Sequence, residues 1–521
     1  MTIFSPLDRP GSRLYHDFLR RVPAIADRFA QLDPNAEFLQ RRASAGISRK
    51  RLQNLATTSL APFAPSPQQQ QSIDRLGDSQ STLVITGQQV GLFGGPMYTL
   101  LKIGTAVRVA SEWSAQFGTP VIPVYWLEDN DHDAKEASTV TMDGVTQTTF
   151  WDGSDERQPV SRRTFSAADV ERIRLLIDQI SGPYAEDVTG SLRRMYSDGV
   201  PWADAMIDVL SPFLREWGVV VIRASNIIKE GYHAPLLHRL LDVGAERTLN
   251  ILDTAAQRLT AGGYHVQIAP TTIPLFRLDE TGRHRIDDVE SRRADIAAHP
   301  ESYMPSALLR PILQDAVLPT AATVLGPAEV AYHAEMREFY AALGVDMPVP
   351  LPRHGLTLLD ARTERNLGKE HRSAPDFFAG WSDLERQLVT ELGDDVLPAI
   401  DEAAITNVFL PYIEAAKGID PTLVATVESA AASTRSSLEN LSAKLRSALK
   451  KKNTQRLERQ RALHQILFPF DAPQERAYPV AFWQARFGSD ALRIIVDTVT
   501  ATPLGSHVVF GVSDLVHEAQ P

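Results

Sequence analysis

Residues Leu83-Val-Ile-Thr-Gly-Gln-Gln-Val-Gly-Leu-Phe-Gly-Gly-Pro-Met-Tyr-Thr-Leu-Leu-Lys102 decide the fold class. The run Leu83-Val-Ile85 is short, apolar and β-branched, as a buried parallel strand requires. From Met97 to Ala110, Leu100, Leu101, Ile103, Val107 and Val109 supply the apolar face of a helix lying on a sheet. Pro96 stands where that helix begins, a place where its missing N–H costs nothing. Between the two, Gly87, Gly91, Gly94 and Gly95 let the backbone turn tightly and approach a ligand. Strand, glycine loop and helix N-terminus together make a site for a phosphate or a carboxylate. The spacing is neither G-x-G-x-x-G nor that of a P-loop, because Lys102 falls inside the helix. An ordinary strand-to-helix turn shows the same residues.

Working outward, Thr119-Pro-Val-Ile-Pro-Val-Tyr-Trp126 is the next strand and completes a βαβ unit, hence parallel strands with a right-handed crossover. Gly218 to Ile222 is a further buried strand. Val140 to Trp151 reads as a strand and Ala167 to Ile180 as a helix. His265–Ile268, Leu275–Leu278 and Arg283–Ile286 read as short antiparallel strands of an insertion. Upstream, residues 10–80 are helical, with Gln68 to Gln71 on a helix surface. From about residue 380 strand-like runs vanish. Val424, Val427, Ala431, Thr434, Leu438, Leu441, Leu445 and Ala448 step by three and four, a heptad seam. Leu384, Leu388 and Leu392 begin an earlier helix able to run antiparallel to it. The seam suits a coiled coil between two chains or a helix pair packed within one. The expected division is a helical segment at 1–80, a core at 81–360 with insertions near 140–215 and 230–305, a helical region at 361–470, and a tail at 471–521 that packs back on the core.

Composition narrows the function. Of 521 residues, 43% are hydrophobic and 22% charged, ordinary values for a globular protein. A net charge of −11 argues against a nucleic-acid partner. No apolar run spans a bilayer, and the first residues lack a signal-peptide pattern, so no membrane partner and a cytoplasmic location are expected. There are no cysteines, which removes disulfides, thiolate metal sites and any covalent route through an enzyme thiol.

The second strand runs into Glu128-Asp-Asn-Asp-His-Asp133. Ligands of open parallel sheets bind at the carboxyl ends of strands. His132 there can act as a general base, with Asp131 or Asp133 orienting it or holding an ammonium group. Asp131 or Asp133 could equally cap the next helix, or the cluster could ligate a metal. Arg310, in Leu309-Arg-Pro, can pair with a carboxylate through two parallel bonds. Gly326-Pro327 followed by Glu329 has the form of another helix start.

Taken together, these stretches resemble the bacillithiol biosynthesis cysteine-adding enzymes. The resemblance rests on Thr86-Gly-Gln-Gln-Val-Gly91, Gly95-Pro96, Lys102, Asp131-His-Asp133, Leu309-Arg-Pro311, Gln314-Asp-Ala-Val-Leu-Pro-Thr320 and Gly326-Pro…Glu329-Val-Ala-Tyr332. Met347-Pro-Val-Pro-Leu-Pro-Arg353, the heptad region and Leu467-Phe-Pro…Gln474-Glu-Arg476 extend it over nearly the whole chain. It implies an α/β fold: a Rossmann-like parallel-sheet core with inserted connecting-peptide subdomains and an α-helical coiled-coil domain that forms a homodimer. It implies a ligase that adds L-cysteine to the amine of glucosaminyl malate, with a nucleotide-binding capacity. One departure is Asn130, where the family pattern Glu-Asp-His-Asp has an acid.

On this reading His132, Asp131 and Asp133 are catalytic. Gln88, Gln89, Asn130, Arg310, Gln314, Asp315, Glu329 and Tyr332 bind substrate. Gly87, Gly91, Gly94, Gly95 and Lys102 bind nucleotide or another anion. A free carboxylate is a poor electrophile, so activation by ATP or another nucleotide is expected, Mg2+ could accompany it, and no protein-held metal is assigned. Two other readings stand beside this one: another ATP-dependent amide ligase or nucleotidyl transferase on a class I synthetase-like core, and a non-enzymatic, nucleotide-binding dimeric scaffold.

Overall fold

Leu83 and Ile85 belong to one hydrophobic cluster and Val84 to another, so their strand is covered on both faces. That explains its unbroken apolar run, since a strand with one wet face would alternate. The computed structural model describes residues 1–5, 7, 11–142, 146–154, 157–286, 288–393 and 400–514. Five parallel strands form its central sheet: β1 (Thr82–Gln89), β2 (Val121–Glu128), β3 (Val220–Arg223), β4 (Thr320–Leu325) and β5 (Val349–Pro352). Their spatial order is β3-β2-β1-β4-β5. The chain steps outward on one side of β1, then returns to place β4 and β5 on the other. This reversal opens a crevice at the carboxyl ends of β1 and β4, where doubly wound sheets bind ligands. Register fixes what stands there: Gly87 lies beside Trp126, Gln89 beside Glu128, and Val324 beside Thr86. The fold is thus α/β with a Rossmann-like core, joined to a helical coiled-coil region.

The crossover from β1 to β2 is helix α1 (Tyr98–Phe117), which buries Leu100, Leu101, Ile103 and Val109. A Cβ on its Gly104 would sit 2.5 Å from Val496 Cγ1, so the C-terminal helix Ser489–Thr500 lies directly on α1. Strand His507–Gly511 then pairs parallel with Gly355–Leu359 and antiparallel with Thr2–Phe4, closing a second, three-stranded sheet. Residues 1–364 with 473–521 make one compact unit, and 365–472 make another. Before β1, Ser66 and Gln69 form a reciprocal cap for helix Pro67–Arg75. Gln69 is buried and donates to the Val219 carbonyl (3.0 Å), so this glutamine joins the helix to β3 instead of lying on a helix surface.

The insertions differ from expectation in two places. Val140–Trp151 is no single strand: Thr139–Thr141 and Gln147–Thr149 pair antiparallel as a hairpin, and residues 143–145 lie outside the described residues. His265–Ile268 forms no strand, because the Glu335 carboxylate takes the Gln267 and Ile268 N–H groups that a ladder would use. The third strand beside Leu275–Asp279 and Gly282–Arg285 is Tyr303–Pro305.

In the second unit, helix α2 (Trp381–Gly393) buries Leu384 and Leu388. Helices α3 (Glu402–Ile419) and α4 (Val424–Lys452) form a hairpin held in part by the Glu402–Arg435 ion pair (2.7 Å). Lys450 of α4 reaches Glu385 of α2 at 2.6 Å. Along the 29 residues of α4 none is buried. The heptad residues Leu438, Leu441 and Leu445 are 37%, 52% and 41% exposed. Among the described residues, these three leucines are therefore only partly covered. Among the described residues, no helix is long and apolar enough to cross a membrane.

Candidate functional site

After β1 the chain passes through Gly91, a tight turn at Leu92–Gly94, and Gly95 before entering α1. Most N–H groups of this loop are consumed within the protein. Gly91 donates to Met206 Sδ (3.1 Å), Phe93 to Tyr196 Oη (2.7 Å), Gly95 to the Leu92 carbonyl (3.1 Å) and Met97 to the Tyr478 carbonyl (3.0 Å). Pro96 bridges Pro479 antiparallel, so the chain at 478–479 covers the helix N-terminus that was expected to face an anion. Gly94 has φ +88°, and a Cβ there would lie 2.8 Å from Val209 Cγ1. Packing demands glycine at that position, not approach to a ligand. Gly91 and Gly95 do border an open cleft, and Gly87 borders a narrow gap.

Lys102 also departs from its expected role. Its Nζ lies 2.7 Å from Glu329 Oε2 and donates to the Gly87 carbonyl at 3.0 Å. With the residue 2% exposed, its charge is spent on Glu329 and on fastening the loop to α1. Burial alone would raise the Glu329 carboxyl, but Lys102 and the Gly326 N–H outweigh it and hold the group below the usual range.

At the end of β2, Glu128 is buried and accepts a bond from Trp126 Nε1 (2.9 Å). Burial pushes its carboxyl up to about 7, against the opposing charge of Arg310. Asp129 is buried on Ser225, whose N–H (2.9 Å) and hydroxyl (2.6 Å) it accepts, so it anchors the first turn of the helix Ala224–Lys229 that follows β3. Asp131 receives Gln89 Nε2 (2.6 Å), the His132 N–H (2.7 Å) and His132 Nδ1 (3.1 Å). Burial would raise Asp131, yet the bonds from His132 and Gln89 and the charge of Arg310 hold it well below the usual carboxylate range. His132 is partly exposed, with Nδ1 engaged by this carboxylate. Asp133 accepts the Glu136 N–H (2.8 Å) and caps the short helix Ala134–Ala137, one of the two readings the sequence left open.

Arg310 opens the helix Arg310–Val317. Its Nε lies 3.6 Å from Glu128 Oε2 and its Nη1 3.7 Å from Asp131 Oδ2. Gln314, Glu329 and Tyr332 line the narrow gap between β1 and β4, together with Gly87. Asp315 does not join them. It is buried, accepts Tyr340 Oη (2.7 Å) and Gln314 Nε2 (3.1 Å), and its expected place against a substrate gives way to this structural pairing.

Three spaces adjoin at these strand ends. The largest is a cleft of about 700 Å3 bounded by Gln88, Tyr98, Asp133, Lys135 and Arg476 among others. A second chamber, of about 240 Å3, is bounded by Asn130, Asp131, His132, Arg283, Ser306 and Arg310. The gap between β1 and β4 measures about 70 Å3, and Gln89 borders all three spaces. Tyr98, Arg283, Ser306 and Arg476 were absent from the sequence-based site. Gln88 Nε2 donates to Tyr98 Oη (3.1 Å), and three cations surround the Tyr98 ring: Lys102 at 5.7 Å, Arg353 at 5.1 Å and Arg476 at 5.6 Å. Lys102 is paired with Glu329 and Arg353 with Glu475 (3.0 Å). Arg476 has no carboxylate partner among the described residues. The motif Gln474-Glu-Arg476 was visible in the sequence, but nothing in its spacing returns it to the glycine loop. Among the described residues no group of three or more His, Asp or Glu is disposed to hold a metal ion.

This arrangement pairs a carboxylate-oriented imidazole with two chambers of different size at a topological switch point. Residues 5–354 match the model of the N-terminal Rossmann-like domain of bacillithiol biosynthesis BshC, and residues 356–510 match its C-terminal coiled-coil domain. The matched C-terminal stretch runs past the helical unit into 473–510, which fold with the core. A protein of Salinibacter ruber named "Putative cysteine ligase BshC" is 29% identical over 84% of this chain and 84% of its own. Its namesake in Solibacter usitatus is 28% identical over 92% and 91%. The corresponding Geobacillus thermodenitrificans protein is 29% identical over 82% and 84%. The chain belongs to the BshC family of bacillithiol biosynthesis.

Proposed function

We propose that this chain is a ligase that joins L-cysteine to the amine of glucosaminyl malate through an amide bond. The observation that carries the reading, beside the family, is the Asp131–His132 pair at the carboxyl end of β2. With Nδ1 held by Asp131, the proton sits on that nitrogen and Nε2 is the basic one. His132 Nε2 takes the proton of the incoming ammonium, so that a neutral amine attacks the cysteine carboxyl carbon. Asp131 fixes the ring and offsets the imidazolium that forms. Arg310 holds a substrate carboxylate. The amide forms as the activating group leaves the acyl carbon, and no enzyme thiol takes part, because the chain has none.

A nucleotide belongs to this proposal, and the large cleft fits one. Arg476, lying over Tyr98 without a carboxylate partner among the described residues, and Lys135 are the residues that would hold its phosphates. When bound, ATP would supply the activation that a free carboxylate lacks, and Mg2+ would enter with the phosphates. The partner is a second copy of the chain, joined along the exposed seam of α4. A cytoplasmic location accords with these substrates.

The test is a product assay by mass spectrometry with glucosaminyl malate and L-cysteine, with and without ATP and Mg2+. Amide product that depends on ATP supports the ligase; no product under either condition overturns it. His132→Ala should lower turnover about 10²- to 10⁴-fold with both substrates saturating. Full turnover in that variant would remove His132 as the base.

A further inference from the structure

Gln89 ends β1 beside Glu128 of β2 and stands where the three spaces adjoin. Its Nε2 donates to Asp131 Oδ2 at 2.6 Å, while Asp131 Oδ1 takes the His132 N–H (2.7 Å) and Nδ1 (3.1 Å). The two oxygens of this carboxylate are thus divided, one for the sheet and one for the imidazole. Arg310 Nη1 lies 3.7 Å from the first of them, too far for a direct hydrogen bond, so Gln89 is the group that holds it. An ionised carboxylate only accepts, so the amide nitrogen of Gln89 faces it and Oε1 is turned away. That oxygen meets no donor among the described residues and is not one of the buried atoms that solvent fails to reach. Burial, then Asp133 and Asp131, raise the nearby Glu136 carboxyl, and the Gln89 amide draws it back. An open acceptor with Asp131, Asp133 and Glu136 about it suits a cation that carries N–H groups.

We propose that Gln89 aligns the proposed base with its amine: through Nε2 it positions Asp131 and hence the His132 ring, and through Oε1 it accepts an N–H of the substrate's ammonium group. The anchor is rigid, because β1 pairs with β2 along its whole length, from Thr82 to Gln89. Asp131 and His132 lie just past the end of β2. The other hydrogen bonds to Asp131 come from its own loop, from His132 and from the Asp133 N–H (3.4 Å). Gln89 therefore ties that loop to the central strand of the sheet. An amide gives up no proton here, so Gln89 stays neutral while His132 takes the proton of the amine. The inference rests on the proposed ligase reading for the identity of the amine, that of glucosaminyl malate. Its positioning half concerns the protein alone.

Two measurements on the full chain test it without turnover. The first is 15N NMR of histidine-labelled protein at about pH 8, where an ordinary imidazole is neutral, with the His132 signals identified by their loss in His132→Gln. The wild type should carry the proton on Nδ1, and Gln89→Leu and Gln89→Glu should both lose part of that tautomer. The second is an equilibrium titration with glucosaminyl malate alone. Gln89→Leu should weaken binding about tenfold, the worth of one hydrogen bond to a charged group. Gln89→Glu keeps an acceptor and should not weaken it. With both substrates saturating, turnover should fall about 10²-fold in either variant, the scale of a misplaced base. If Gln89→Leu melts early, Gln89→Met, of nearly the original length, takes its place. A wild-type tautomer in both variants, undiminished affinity in the apolar variant, or no binding of glucosaminyl malate by the wild type would overturn the proposal. Both expected results in a chain that makes no amide would sink the ligase reading and leave this one standing.

Discussion

The central sheet and helix α4 carry equally clear apolar patterns, and the fold treats them in opposite ways. Leu83, Val84 and Ile85 are wholly buried, as is Leu101 across from them, whereas Leu438, Leu441 and Leu445 remain open to solvent. The same contrast recurs among the cations around Tyr98: Lys102 is sealed onto Glu329, while Arg476 borders the cleft with no carboxylate partner among the described residues. A pattern or a charge in the sequence announces that a residue will be used. Only its partners in the fold say whether it is used inside the molecule or outside it.

The sharpest way to break that contrast is to exchange the fates of the two cations. Lys102→Ala removes a buried side chain and strips the partner from the partly exposed Glu329 carboxylate, which should cost about 3 kcal/mol of stability. Arg476→Ala should leave the melting temperature unchanged and weaken ATP binding about tenfold, the scale of a charged hydrogen bond. Thermal melts and nucleotide titration of both variants check this. If Lys102→Ala melts like the wild type and Arg476→Ala does not, the assignments are reversed.

The sheet side of the comparison rests on packing. Leu101→Ala should lose about 2 to 5 kcal/mol, read from denaturant midpoints, because the cavity cannot collapse between α1 and the sheet. Wild-type stability in that variant would mean that α1 does not seal β1.

Much of this was legible in the sequence, and the missing parts share a cause. The parallel strands, α1 and the long helical region follow from local periodicity, which needs only neighbours along the chain. The gathering of Gln89, Asp131, His132 and Arg310 was reachable too, because strand ends in a parallel sheet must meet. Lys102 was misjudged because its partner Glu329 is 227 residues away. Arg283 and Ser306 were overlooked because they belong to an inserted subdomain, whose return to the strand ends no local spacing encodes. Arg476 comes back to the glycine loop through the tail, again a long-range event. Asp315 looked like a site residue because it sits in a motif, yet Tyr340 claims it.

Burial itself can be read through pH. Glu128 has its carboxyl lifted from the ordinary 4.5 to about 7, so the folded state prefers it protonated. The stability that this preference contributes is complete below about 4.5 and disappears as pH rises through 7. Glu128→Gln keeps an acceptor for Trp126 but cannot ionise. Relative to the wild type, it should gain with rising pH, on the order of 2 to 3 kcal/mol between pH 4.5 and 8. Denaturant midpoints at three pH values give the slope. Parallel curves for the two proteins would place Glu128 in a wetter setting than its buried position beneath Arg310.

The smallest expected effect on folding belongs to α4, and its smallness is informative. Leu441 is half exposed, so Leu441→Ala removes little buried surface and should change stability of the isolated chain by less than about 0.5 kcal/mol. If the seam is where two copies join, the same substitution removes a side chain from the centre of an interface. Sedimentation equilibrium should then show weaker self-association, and Leu438→Ala with Leu441→Ala should weaken it further. None of the 29 residues of α4 is fully buried among the described residues, so a second surface along its heptad residues would add burial that the α3–α4 hairpin does not supply. Monomeric wild-type protein across the accessible concentration range would remove a second copy as that surface. Unaltered association in the double variant would move the interface elsewhere.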